Sequence, residues 1–138
     1  MPVIIVMAIC VIIQVVAGAR EMFQWDDFSE GVIGLSGLLE NVQDEGVRSA
    51  IFDATSLLGL NQGFYNLCLA FGIAAAMVLG PNGNGRTLAL YTLSFMFIVG
   101  VFGAATVLNP ETGSMQPIFA AQAIPPLIAL VLLMRSRA

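Results

Sequence analysis

Nine side chains in this sequence could do chemistry where they stand: Gln14, Glu21, Trp25, Asn61, Gln62, Tyr65, Asn66, Thr106 and Gln122. They are amides, hydroxyls, one indole and one carboxylate, set among long apolar runs, where a polar group is costly and normally faces a protein interior. The chemistry open to them is hydrogen bonding around a single carboxylate, a common element of proton-coupled transport at a membrane boundary. Composition closes off much else. There is no His, which removes histidine-ligated metals and haem, Ser-His-Asp and Cys-His arrangements, and an imidazole pH switch. All five basic residues are Arg, so Schiff-base lysines and the phosphate-loop lysine are absent too. Glu21 and Tyr65 could perform acid-base work, yet no nucleophile, metal cluster or cofactor motif accompanies them. The expectation is a protein without a cofactor that is not an enzyme.

The elements that must position these groups follow from the apolar runs. Only 10% of the 138 residues are charged and 58% are hydrophobic, whereas a soluble domain carries about 25% charged residues. A helix needs about 20 apolar residues to cross roughly 30 Å of hydrocarbon, where every backbone amide must be satisfied within the helix. Four stretches qualify, at about 2–19, 57–79, 87–108 and 115–134. The turn clusters Gly80-Pro81-Asn82-Gly83-Asn84-Gly85 and Asn109-Pro110-Glu111-Thr112-Gly113-Ser114 make the last three antiparallel neighbours. The expected fold is all-α: one domain over 1–138, a polytopic four-helix transmembrane bundle with a short extracytoplasmic amphipathic helix. Ala17-Gly18-Ala19 fits a signal-peptidase site, but Met1-Pro2-Val3 offers no basic n-region, so the first segment is expected to be retained.

With four crossings, both termini share a side with the loop from Gly80 to Arg86. That side carries Arg86, Arg135 and Arg137; the other carries Arg20 and Arg48 and all nine carboxylates. Counting basic residues near helix ends, this distribution predicts a multi-pass protein of the inner (plasma) membrane with cytoplasmic termini. On the outer side, residues 20–56 form an acidic connection too long for a plain turn. Leu35, Leu38, Leu39 and Val42 recur on one helical face, which predicts a surface helix. Asp44 and Arg48 are an i, i+4 pair, so the second crossing helix can begin early as an aqueous extension. Those acids form either a solvated face or a docking site for a cation or partner.

Depth singles out the polar set. Gln14, Glu21 and Trp25 lie at the outer end of the first segment. Asn61, Gln62, Tyr65 and Asn66 span an arc of about 140° on the second. Thr106 and Asn109 close the third, and the fourth carries Gln116 and then Gln122, about 10 Å deep. The inner halves are almost wholly apolar, apart from Tyr91, Thr92 and Ser94. If the arcs converge they line an outward-facing pocket. A small amphipathic molecule or lipid headgroup would be held there by Asn61, Gln62, Tyr65, Asn66 and Gln122, with Glu21 at the mouth. Interhelical amide bonds of about 0.6 kcal/mol each offer a purely structural alternative. Trp25 reads as an interfacial anchor or as a ligand-stacking group.

Gly59 and Gly63 form a G-x-x-x-G pair, and Gly100 and Gly103 lie together, which marks close helix contacts or a homodimer seam. Pro125-Pro126 should kink the fourth helix and free carbonyls beside Gln122. Cys10 and Cys68 read as small buried hydrophobes. The expected partners are the lipid bilayer, a small-molecule or lipid ligand, and a second copy or larger membrane complex. Sparse charge and small-residue seams also fit a second function, an accessory subunit of such a complex. Nucleic acid is disfavoured, since no basic patch exists.

Glu21-Met22-Phe23-Gln24-Trp25, Asn61-Gln62-Gly63-Phe64-Tyr65-Asn66, Gly100-Val101-Phe102-Gly103-Ala104-Ala105-Thr106 and Gln122-Ala123-Ile124-Pro125 resemble the signature stretches of the domain of unknown function 1304 family. The resemblance spans nearly the whole chain, with Asn-Gln-Gly-x-Tyr-Asn its most specific element. It implies a small bacterial four-helix membrane protein and no established activity or cofactor. Its motif residues coincide with the polar set obtained from depth. The family pattern places a His about two turns before the Glu, where this chain has Gln14, so proton chemistry at that His does not carry over. The connection from Trp25 to Asn61 is longer and more acidic than the family pattern.

Overall fold

A computed structural model describes residues 2–29, 39–80, 82–106 and 117–136. The helices are α1 (Pro2–Phe23), the single turn α2 (Trp25–Phe28), α3 (Glu45–Leu79), α4 (Gly83–Thr106) and α5 (Pro117–Arg135). All but α2 are long and apolar enough to cross a membrane. The chain is an all-α membrane bundle. Each long helix touches two others, α1 packing on α3 and α5, and α4 packing on α3 and α5.

Two helices run beyond the hydropathic stretches. α1 continues through Arg20 and Glu21 to Phe23, and α3 starts at Glu45 rather than near Leu57. Asp44 explains the early start. Its carboxylate accepts from the Gly46 and Val47 amides at 2.8 and 3.1 Å, satisfying two of the donors that a helix start leaves unpaired. Asp44 therefore acts as a cap. The surface helix expected through Leu35 and Leu38 lies outside the described residues. Leu39 and Val42 stand in a turn closed by the Val42 amide donating to the Leu39 carbonyl, 3.0 Å.

The register of α1 shows how the core is built. Met7, Cys10, Gln14, Ala17, Gly18 and Glu21 face inward, while Ile5, Ile9, Ile12 and Val16 on the opposite face are exposed. A fully apolar exterior suits a helix whose surroundings are lipid. One half of the bundle is dry: Met7 and Cys10 meet Ile73 and Ala76, Leu93 and Met96, and Ala129 and Leu133. Thr92 within this half donates to its own helix, to the Leu88 carbonyl at 2.9 Å, and so adds no interhelical bond. Gly80 (φ +87) ends α3 in a conformation that side-chain-bearing residues avoid. At that same end the Arg86 guanidinium donates to the Ser136 hydroxyl at 3.5 Å, joining the start of α4 to the end of α5.

Glycines set the helix separations. A Cβ on Gly18 would lie 2.7 Å from the Gly63 carbonyl oxygen, and one on Gly63 would lie 2.6 Å from that of Gly18, so α1 and α3 meet backbone to backbone. Gly59 lies beneath the Trp25 ring. Both glycines of the G-x-x-x-G pair are thus used within the chain. Between α4 and α5, Gly103 faces the Phe119 ring, and a Cβ on Gly100 would lie 2.8 Å from Ala123 N and 3.0 Å from the Gln122 carbonyl oxygen. Pro126 deprives that carbonyl of its i+4 donor within α5. That acceptor, without a donor in its own helix, sits against Gly100, whose lack of a side chain permits the approach.

Candidate functional site

The polar groups gather at the end of the bundle opposite the dry core. There the Asn66 side-chain amide of α3 donates to the Glu21 Oε2 of α1 at 2.6 Å, a buried bond between residues only 6% and 2% exposed for Glu21 and Asn66 respectively. A bond of this length in the bundle interior ties α1 to α3 at this level. It forms because Glu21 follows Gly18 by three residues and Asn66 follows Gly63 by three. The glycine contact brings both helices close one turn away, and the two polar side chains meet beside it.

Beside this pair opens a cleft of about 530 Å³. Glu21, Trp25 and Phe28 line it from α1 and α2; Thr55, Gly59, Asn61 and Gln62 from α3; Phe102, Gly103 and Thr106 from α4; and Phe119 and Gln122 from α5. Six of the nine residues expected from sequence, Glu21, Trp25, Asn61, Gln62, Thr106 and Gln122, therefore border one volume. The other three lie elsewhere. Asn66 and Tyr65 line an adjoining groove between α3 and α4, with Tyr65 54% exposed. Gln14 borders neither volume; it is 1% exposed, and its Oε1 has no hydrogen-bond partner among the described residues. Asn109 and Gln116 lie outside the described residues.

Each wall has a local cause. Trp25 follows the break at Gln24, where the helix leaves regular geometry, and its ring rests over Gly59 and 6.0 Å from that of Phe28. Its Nε1 is buried without a hydrogen-bond partner among the described residues. A buried indole N–H normally finds an acceptor. Thr55 and Thr106 donate to the Phe52 and Phe102 carbonyls at 2.9 and 2.8 Å, so towards the cleft each offers only an acceptor oxygen. Gln122 is held in place by the close contact of its backbone with Gly100.

The aromatic walls Phe28, Phe102 and Phe119 carried no polar signal in the sequence, since phenylalanine reads equally as lipid-facing. In the fold Phe119 stands against Gly103, a contact the sequence does not show. Of His, Cys, Asp and Glu side chains the cleft presents Glu21 alone among the described residues. No group of three or more His, Cys, Asp or Glu side chains stands together among the described residues. The arrangement can hold a molecule by hydrogen bonds at one carboxylate and three amides, with aromatic side chains around it.

No curated protein and no solved structure matches the chain. Residues 4–134 match the family described as Protein of unknown function (DUF1304), and the chain belongs to that family.

Proposed function

We propose that this small membrane protein binds one small amphipathic molecule in the cleft at the polar end of the bundle. The observation that carries the reading is the cleft itself. At about 530 Å³ it falls in the size range of ligand sites, roughly 300–1,000 Å³, and the Glu21 carboxylate borders it together with three side-chain amides, Asn61, Gln62 and Gln122. A ligand's polar end would hydrogen-bond to Gln122 and Glu21, and its apolar part would lie against Trp25, Phe28, Phe102 and Phe119. The dry core of Cys10, Ile73, Leu93 and Leu133 below the cleft favours holding over passage. Binding rather than catalysis fits a site with one carboxylate and no nucleophile. By the distribution of arginines the cleft opens on the extracytoplasmic side of the plasma membrane.

Solvent extraction of the purified protein, followed by mass spectrometry, tests this. One amphipathic species at close to one per chain should come from the parent and be lost from Thr106→Phe, which fills the rim at an exposed position. Identical extracts from both proteins would refute the cleft as its site. An empty extract with a larger protein recovered in constant ratio would support the accessory-subunit function instead.

A further inference from the structure

The cleft continues sideways. Gln62 and Val99 border both it and the groove of about 410 Å³ that runs along the seam between α3 and α4 past Leu69 and Phe95. That groove is chiefly apolar, and Phe95 and Tyr91 on its wall are exposed on the lipid-facing side of the bundle. The cleft that carries the Glu21 carboxylate thus leads into a groove without an acidic or basic side chain among the described residues, so a charged head and an uncharged tail have different places to lie.

The charge on the walls narrows the head. Among the described residues, Glu21 is the single acidic or basic side chain bordering either volume. Its Oε2 is engaged by Asn66, which leaves Oε1 for an occupant. Aromatic faces from Trp25, Phe28, Phe102 and Phe119 surround the chamber, and such faces attract cations. A lone carboxylate favours a positive head and repels a negative one.

Resting on the cleft as a ligand site, we propose that the ligand is a single-chain amphiphile with a cationic amine head. The ammonium sits at Glu21 Oε1, and the hydrocarbon tail follows the seam between α3 and α4. The amphiphile enters from the bilayer along that seam.

Three probes with the same twelve-carbon tail separate the elements of the proposal: protonated 2-(dodecylamino)ethanol, neutral 1-dodecanol and anionic dodecyl sulfate. They are titrated against the full chain in nanodiscs of neutral lipid and followed by native mass spectrometry. The amine should bind about tenfold or more tighter than the alcohol, with the sulfate weakest. Glu21→Gln keeps a side chain able to accept from Asn66, and it should bring the amine-to-alcohol ratio close to one. Thr106→Phe should weaken all three. If the alcohol equals the amine in the parent, or the amine preference survives Glu21→Gln, the cationic head is wrong while the cleft reading stands, provided Thr106→Phe weakens binding. If no probe saturates in the parent, the cleft reading falls with it.

Discussion

Gly63→Ala should destabilise the bundle by about 1–3 kcal/mol, and Gly63→Leu by more, measured as the shift in an unfolding transition in mixed micelles. The added Cβ would stand 2.6 Å from the Gly18 carbonyl oxygen and 3.2 Å from Glu21 Cβ, so the collision is with backbone and cannot be relieved by rotating a side chain. α1 and α3 must separate. The consequence reaches one turn further, because the Glu21–Asn66 bond depends on the same separation. Gly18→Ala meets the Gly63 carbonyl oxygen at 2.7 Å from the other side. The double variant should therefore cost less than the two singles added, since one displacement accommodates both methyl groups. Gly72→Ala is the control: its Cβ meets only the Thr92 methyl, at 2.8 Å, and should cost less. Additive costs from Gly18 and Gly63 would contradict a shared contact.

Asn66→Leu should cost about 2 kcal/mol, more than the roughly 0.6 kcal/mol average for interhelical hydrogen bonds in membranes. Two effects compete. Leucine fills the space, but packing apolar surface against lipid-like surroundings gains little, because the tails outside are as apolar as the interior. Against this, the variant removes a 2.6 Å bond and leaves the Glu21 carboxyl buried without its partner. Hydrogen bonds to charged groups contribute about 1.5–3 kcal/mol, and a stranded buried acceptor costs its full desolvation. The loss wins. Glu21→Leu combined with Asn66→Leu should recover much of the stability, since removing both partners leaves nothing stranded. A double variant as unstable as the summed singles would show that the two residues do not act as a pair.

The bundle was legible in the sequence because apolar length is a direct consequence of lipid thickness, and the four spans stand on it. The polar end was legible for a related reason: amides are rare in hydrocarbon, so Asn61, Gln62 and Gln122 announced their depth. Other parts were not. α3 begins at Glu45 because Asp44 caps it, an interaction of the aqueous phase that hydropathy does not weigh. Gln14 stood in register with Glu21 but belongs to the interior below the cleft, since two helical turns along α1 carry it past the chamber wall. Tyr65 shares the polar arc of α3 with Asn61, yet the arc is wide enough to serve two different volumes. Ala17-Gly18-Ala19, which reads as a cleavage motif, is the segment that meets Gly63.

Trp25 is the single tryptophan of the chain and borders the cleft, so its fluorescence is a probe placed at that volume. A brominated twelve-carbon amphiphile bearing an ammonium head, titrated into nanodiscs that hold the protein, is the most direct test of the account. The account predicts saturable quenching that an unbrominated competitor reverses, and a large weakening of that quenching in Thr106→Phe. Quenching that rises linearly with the amphiphile, ignores the competitor and is unchanged in Thr106→Phe would mean that Trp25 senses only the bilayer, and would contradict the cleft as a binding site.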